Sequence, residues 1–316
     1  MAVLGPYGFV LEVPDLATGI RFYTDAGLNA RQEGNIVRLR CDGQDRDCIT
    51  LIGGAPRKRL HHLILRADPD KLGAVRQAVP DLGGKVIDAP SGFSGAGLWV
   101  QDPHGMRVHL LDAPAEKPQL AGVPFECNAP GRLVRKDRRA IAAKGTVGPI
   151  RPLRLGHVLL FSPDVLRSVD FFSRALGMGL ADRSQDAVAF MCALRDSDHH
   201  VVAFAKSNDI GFHHGSFQVA SPDEVGLGGR RLIDNGNAGN WGFGRHTIGS
   251  NFFHYIQDPW GSWFEYYSDI DHIADYSKWE PINYPLEDSL ENWGPNLPPD
   301  FAHNYEAAPE AFRRAS

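Results

Sequence analysis

Apolar and polar positions along the chain follow a pattern that occurs twice. Gly8-Phe9-Val10-Leu11-Glu12-Val13-Pro14-Asp15 is an apolar, strand-like run ending in Pro-Asp, and His157-Val158-Leu159-Leu160-Phe161-Ser162-Pro163-Asp164 is another. An Asp just before an apolar-periodic segment is a helix N-cap, because its side chain accepts from the free N–H groups of the first turn. The segments that follow repeat their apolar residues at helical spacing: Leu16, Ile20 and Tyr23 in one, Val165, Val169 and Phe172 in the other. Further along, Leu60-His61-His62-Leu63-Ile64-Leu65 parallels Phe212-His213-His214-Gly215-Ser216-Phe217, and Asp102-Pro103-His104-Gly105 parallels Asp258-Pro259-Trp260-Gly261. The pattern predicts two homologous halves, roughly 5–112 and 155–269. Each is doubled again into units of about fifty residues with the order strand, helix, three strands. The expected fold class is α+β: two homologous domains, each of two βαβββ modules forming a curved open barrel around a cavity.

Between the halves, residues 113–154 carry six prolines and a basic cluster (Arg132, Arg135, Lys136, Arg138, Arg139), which reads as a solvated linker rather than an anion site. The tail, 270–316, is rich in Pro, Trp and Asn and is expected to wrap the second half as irregular structure, fraying from about Glu306. The organisation expected is therefore an N-terminal domain 1–112, a linker 113–154, a catalytic domain 155–269 and a tail 270–316.

Chemistry concentrates in the second half. Asp258-Pro259-Trp260-Gly261 between two aromatic runs reads as a β-hairpin turn. A three-residue loop puts Tyr255 opposite Glu265 on one face, with His254 and Phe264 on the other. His214 heads a short alternating run, His214 to Val219, that also reads as a strand, with His213 as the outward member of its pair. His157 is a single imidazole in a very apolar strand. A buried carboxylate or imidazole is costly unless something pairs with it. Two His and one carboxylate, His157, His214 and Glu265, make a facial triad suited to non-haem Fe(II), with open positions left for substrate and oxygen.

Composition narrows the partners. A net charge of −5 gives no general pull toward nucleic acid or an anionic membrane, and no uncharged apolar stretch is long enough to span one. Four scattered cysteines without Cys-x-x-Cys spacing argue against a disulfide framework or a zinc knuckle, and a reducing cytoplasm is the expected location.

From His157 to Glu265 the residues resemble the type I extradiol ring-cleavage dioxygenases of the vicinal oxygen chelate superfamily. The resemblance covers about residues 5–269. Its motif reads here as Gly244-Arg245-His246, Tyr255, Asp258-Pro259-Trp260-Gly261 and Glu265. His254 departs from it, since an aliphatic residue usually precedes the Tyr. The resemblance implies His157, His214 and Glu265 as Fe(II) ligands, His200 as a histidine near the oxygen site, and His246 and Tyr255 as partners of a bound catechol. His200 is chosen over His199 on the pattern His-x-x-Ala-Phe. Fe(II) is the expected cofactor, with Mn(II) also accepted by such ligands. The implied reaction is meta-cleavage of a catechol-type ring with O2 to a 2-hydroxymuconic-semialdehyde-type product, by a homo-oligomer. The positions matching the triad in the first half are Gly8, His62 and His109, which reads as a decayed site. Trp241 and Phe243 are candidates for lining the substrate pocket. The competing readings are a non-oxidative metal-dependent isomerase or lyase of the same superfamily, or a small-molecule-binding protein.

Overall fold

The computed structural model describes residues 2–42, 44–115, 125–143, 149–237 and 239–307. The repeats seen in sequence become strands in equivalent places. The first half comprises β1 (Val3–Glu12), α1 (Leu16–Asp25), β2 (Asn29–Glu33), β3 (Ile36–Arg40) and β4 (Ile49–Ile52), then β5 (Arg59–Ala67), α2 (Leu72–Asp81), β6 (Lys85–Val86), β7 (Leu98–Gln101) and β8 (Arg107–Asp112). Its sheet has the order β2-β3-β4-β1-β5-β8-β7-β6, so each four-strand unit sits beside its copy. The second half begins with β9 (Arg154–Ser162), α3 (Val165–Arg174), β10 (Gly179–Ser184), β11 (Val188–Cys192), β12 (Arg195–Asp198) and β13 (Val202–Lys206). It continues with β14 (Gly211–Gln218), α4 (Pro222–Asp234), β15 (Asn240–His246), β16 (Phe252–Gln257) and β17 (Trp263–Ser268). Three short strands follow, β18 (His272–Asp275), β19 (Asn283–Tyr284) and β20 (Glu291–Trp293). The larger sheet reads β19-β10-β11-β13-β9-β14-β17-β16-β15-β20, and β12 pairs with β18 apart from it.

Local chemistry explains the repeated joints. Asp15 Oδ1 and Oδ2 accept from the N–H groups of Ala17 and Thr18, and Asp164 Oδ1 accepts from Arg167 N, so both predicted caps form. In the two Asp-Pro-x-Gly turns, Asp102 Oδ1 accepts from His104 N and Met106 N, and Asp258 Oδ1 accepts from Trp260 N and Ser262 N. The second turn sets the register Tyr255 opposite Glu265.

A single apolar core runs through both halves. The outward residues of β17 take part in it: Phe264 lies edge-on to Phe22 of α1 at 6.2 Å, and the Tyr266 hydroxyl donates to Ala26 O at 2.8 Å. Their neighbours Glu265 and Tyr267 consequently face the other way, into the concave side of the second sheet.

The segments outside the repeats differ from one another. Residues 125–143 are largely exposed, with Phe125, Leu133 and Ile141 each at least half exposed, and Arg138 pairs with Glu126. The rest of the linker, 116–124 and 144–148, lies outside the described residues. The tail is less irregular than its composition suggests, because β18, β19 and β20 add to the second half's sheets. Nor does it fray at Glu306, although 308–316 lie outside the described residues. Glu306 is buried and pairs with the buried Lys58 at 2.9 Å, and its Oε2 accepts from Leu60 N at 2.8 Å. Lys58 also donates to Ser262 Oγ. This buried pair ties the tail to both halves.

Removing one partner of such a pair leaves a buried charge alone, so Lys58→Met is expected to destabilise the protein by about 3–5 kcal/mol. Adding Glu306→Leu is expected to restore most of that loss. Urea unfolding of the single and double variants measures it, and a single variant as stable as the parent would show that the pair does not anchor the tail.

Candidate metal centre and active site

Glu265 is the most unusual residue of the second half, a carboxylate with no solvent exposure. It lies between two imidazoles from two other strands. Its Oε2 is 3.0 Å from His157 Nε2 (β9) and 3.5 Å from His214 Nε2 (β14). The three are brought together because β14 lies between β9 and β17 and pairs Ser216 with both His157 and Glu265. Donors held about 2.1 Å from a six-coordinate ion sit about 3.0 Å from each other, so these spacings suit adjacent corners of one coordination sphere.

Two further observations fit a metal. His214 Nε2 is buried without a hydrogen-bond partner, which is rare for such an atom unless something unseen satisfies it. And the other face of His214 is already fixed. A bulge in β14 at His213, between the Phe212–Leu160 and His214–Leu159 pairs, turns His213 beside its neighbour, so that the two Nδ1 atoms are 2.7 Å apart. The Phe301 carbonyl acts on the far side of His213, partly offsetting the fall that burial causes in its pKa. A neutral His213 that donates there must accept from His214 Nδ1–H, which leaves the His214 Nε2 lone pair facing Glu265. Strict alternation predicts an outward His213. The bulge instead makes it a buried support for the ligand.

A cavity opens on this centre. His157, His200, His214, His246 and Tyr255 line it, with apolar walls from Leu159, Val188, Phe190, Ile248 and Phe301. His200 packs on His157 with ring centroids 4.1 Å apart, while His199 turns away to Asp182, so the cavity receives the second of this pair. His246 Nδ1 donates to Leu290 O at 2.8 Å, which leaves Nε2 to accept from the Tyr255 hydroxyl at 3.0 Å.

Burial sets the charge states. It pulls the His200, His214 and His246 pKa values down, helped in His200 by His157 and in His214 by His213. It pushes Tyr255 well above the ordinary phenol range, with Glu265 adding to the effect. Burial alone would raise Glu265, but the hydrogen bond from His157 and the charges of His157 and His246 outweigh it and hold the carboxyl low. The centre is a carboxylate ringed by imidazoles, ready for a cation.

Some assignments change on contact with the structure. Trp241 does not line the cavity; it stacks behind Tyr255 at 5.4 Å and donates to Pro295 O. Phe243 packs on Phe252 and Trp293. Both sit where aromatic packing, not substrate, claims the ring. His254 faces away from the cavity, as alternation predicts, toward α4, where a Cβ on Gly229 would fall 2.0 Å from its Nδ1. The sequence reading missed Asn251, whose Nδ2 donates to Glu265 Oε1 at 3.1 Å, and the tail residues Ser289, Leu290 and Phe301 of the cavity wall. A lone Asn in a loop carries no periodic signal, and no pattern places an irregular tail.

In the first half, His62 and His109 sit as His214 and Glu265 do, and Trp99 takes the place of Tyr255. Trp99 stacks on His109 at 4.2 Å and fills the space. Gly8 stands where His157 would be, and a Cβ there would lie 2.6 Å from Cys48 O. No triad forms among these residues; the only metal-capable group among the described residues is His157, His214 and Glu265.

Comparison with known proteins gives the same direction. The chain is 37% identical over 299 residues to Metapyrocatechase 2 of Cupriavidus necator, covering 95% of this chain and 91% of that protein. The chain belongs to the metapyrocatechase family of extradiol ring-cleaving dioxygenases. Residues 154–266 match the Glyoxalase/Bleomycin resistance protein/Dioxygenase superfamily. Two solved structures share the fold. One is the Mn(II)-bound glyoxalase of Novosphingobium aromaticivorans (23% identity, TM-score 0.75, covering 100% of this chain and 99% of that one). The other is 2,2',3-trihydroxybiphenyl 1,2-dioxygenase of Sphingomonas wittichii (21% identity, TM-score 0.71, 94% and 100%). Members of this extradiol family are metal-dependent, and the His/His/Glu group suits that requirement. Among the described residues no helix is long and apolar enough to cross a membrane.

The buried histidines predict acid sensitivity. Burial lowers His254 to about 4 and His213 to about 3, against 6.5 for an unburied imidazole. Below pH 6.5 the unfolded chain takes up a proton that the folded chain refuses, so stability is full above that pH and falls with acidification. The slope is about 1.4 kcal/mol per pH unit for each such group, down to its folded pKa. Unfolding of the metal-free protein between pH 7.5 and 5 is expected to show this loss, and His254→Gln to reduce the slope. An unaltered slope would mean that His254 is protonated as easily folded as unfolded.

Proposed function

We propose that this protein is a non-haem Fe(II) extradiol dioxygenase that opens a catechol-type ring with O2, the metal being held by His157, His214 and Glu265. The observation that carries this reading is the buried triad, two of whose histidines line a cavity that also holds His200, His246 and Tyr255. The residues group as a first domain 1–112, a linker 113–154, a catalytic domain 155–269 and a tail 270–316, with the first domain structural. Mn(II) suits the same ligands, and assembly into a homo-oligomer is part of the proposal. The same activity implies a cytoplasmic enzyme.

The metal, when bound, supplies a redox-active Lewis acid that makes a catechol hydroxyl more acidic and lets triplet oxygen react with the ring. The chain does the rest. His157, His214 and Glu265 would hold the metal, and the cavity beside them would take the catechol and O2. The apolar walls flank the ring and keep water out. His246 Nε2 is an acceptor and the Tyr255 hydroxyl a protonated donor, so together they orient the substrate oxygens and take up a proton. His200, beside His157, meets oxygen and returns a proton as the ring opens. The product is of the 2-hydroxymuconic-semialdehyde type.

Oxygen consumption by anaerobically Fe(II)-loaded protein with substituted catechols tests the proposal. One O2 per catechol with a coloured ring-fission product is expected. Metal bound without uptake on any catechol would point instead to non-oxidative chemistry on this fold. Glu265→Gln is expected to lose metal retention, and full activity with stoichiometric iron in that variant would overturn the triad. Tyr255→Phe is expected to keep metal and lower kcat by about 100-fold, the scale of a positioned proton-transfer group.

A further inference from the structure

His200 does not stand alone behind the cavity. Its Nδ1 lies 3.0 Å from His199 Nδ1, and His199 Nε2 lies 2.7 Å from Asp182 Oδ2. The other carboxylate oxygen, Asp182 Oδ1, accepts from Ile282 N at 2.6 Å. His199 and Asp182 are both buried, and neither reaches the cavity lining. The arrangement is built. A register shift in β10 between Leu180 and Asp182 turns the Asp inward. In the first half the matching strand β2 pairs without any shift, and Arg46 and Asp47 stand where His199 and His200 stand here.

We propose that Asp182 and His199 are positioning residues for ring cleavage: acting in series, they fix the tautomer of His200 so that its Nε2 faces the cavity as a proton acceptor. This rests on the reading of the cavity as a ring-cleavage site. The argument follows the hydrogens outward. An ionised carboxylate only accepts, so His199 Nε2 carries hydrogen. A neutral His199 then has a lone pair on Nδ1, and His200 Nδ1 donates to it. His200 is left with a bare Nε2, the atom on the cavity side. A substrate hydroxyl proton taken there forms the Nε2–H bond. The Nδ1–H of His200 can then pass to His199 Nδ1, leaving the positive charge on His199 beside the Asp182 carboxylate and away from the metal. The reverse transfer returns the proton when the ring opens.

The carboxylate is held in a way that makes Asp182→Asn informative. Ile282 N–H needs an acceptor, so the Asn side chain keeps its oxygen there and turns its NH2 toward His199. His199 Nε2 must then accept and its Nδ1 must donate, which moves the hydrogen of His200 to Nε2. The variant is nearly isosteric yet reverses both rings. The same substitution in the serine-protease triad misplaces a histidine hydrogen in this manner.

The test is nitrogen NMR of the metal-free protein labelled at histidine, for parent and D182N, together with steady-state kinetics of the Fe(II)-loaded forms. The parent is expected to show His200 protonated at Nδ1 and His199 at Nε2, and D182N to show both reversed. Kinetically, D182N is expected to lose about 10- to 100-fold in kcat, the scale of lost outer supports at metal sites, with KM for catechol within about twofold. A doubly protonated His199 or an Nε2-protonated His200 in the parent overturns the proposal, as does a D182N spectrum with the tautomers unmoved. Should D182N fail to fold, the parent spectrum decides alone. If the tautomers are as stated but no catechol is consumed by the parent, the ring-cleavage reading falls instead, and the two failures remain distinct.

Discussion

Everything in the second half is arranged around one desolvated carboxylate. Taking Glu265 out of water costs several kcal/mol, and a single neutral imidazole does not repay it. The fold answers with His157 and His214 at its Oε2 and Asn251 at its Oε1, and holds the whole group against an apolar wall. This remains an incomplete answer without a cation, since His214 Nε2 stays unpaired. The parallel pairing of β14 with β17 and its antiparallel pairing with β9 are what let three strands present three donors at one point. A shift of one residue in either pairing would turn the ligand to the core side.

The first half shows what the same scaffold does without that carboxylate. Its strands pair in the same registers, so His62 and His109 still approach one another. Gly8 has no room for a side chain, however, and Trp99 occupies the space that Tyr255 leaves open in the second half. The cost of a buried acid has been replaced by aromatic packing. His109, in place of Glu265, bonds Ala96 O and needs no metal. In exchange the first half offers α1 as a surface on which Phe264 and Tyr266 pack, and so orients Glu265 from behind.

How much of this was legible depends on whether the signal was periodic. The doubled pattern of strand, Pro-Asp and helix revealed the modules, and the turn after Gln257 set Tyr255 against Glu265. The chemistry of buried charge singled out His157, His214 and Glu265. The bulges were not legible: alternation sends His213 outward, but one extra residue in β14 turns it inward, and nothing in the local residue types announces that. Nor does a sequence show that Leu290 and Phe301, from a Pro-rich tail, close a wall formed mostly by strands far upstream. Trp241 and Phe243 illustrate the converse, since an aromatic beside a site is drawn to other aromatics as readily as to substrate.

Neighbouring histidines recur in this chain with one geometry. His61 and His62, His199 and His200, and His213 and His214 each bring Nδ1 to Nδ1 within 2.7 to 3.0 Å. Two rings bonded in this way cannot choose their hydrogens independently, because one Nδ1 must donate and the other accept. The choice is made at the far end of the pair, by Phe301 O for His213 and by Asp182 for His199. In both cases an acceptor at the far end leaves a bare Nε2 on the cavity side, where one ring can face a metal and the other a proton. A bulge or a turn that places two histidines side by side thus does more than pack them. It carries the character of a remote hydrogen-bond acceptor into the cavity, and it does so without placing a charged group there.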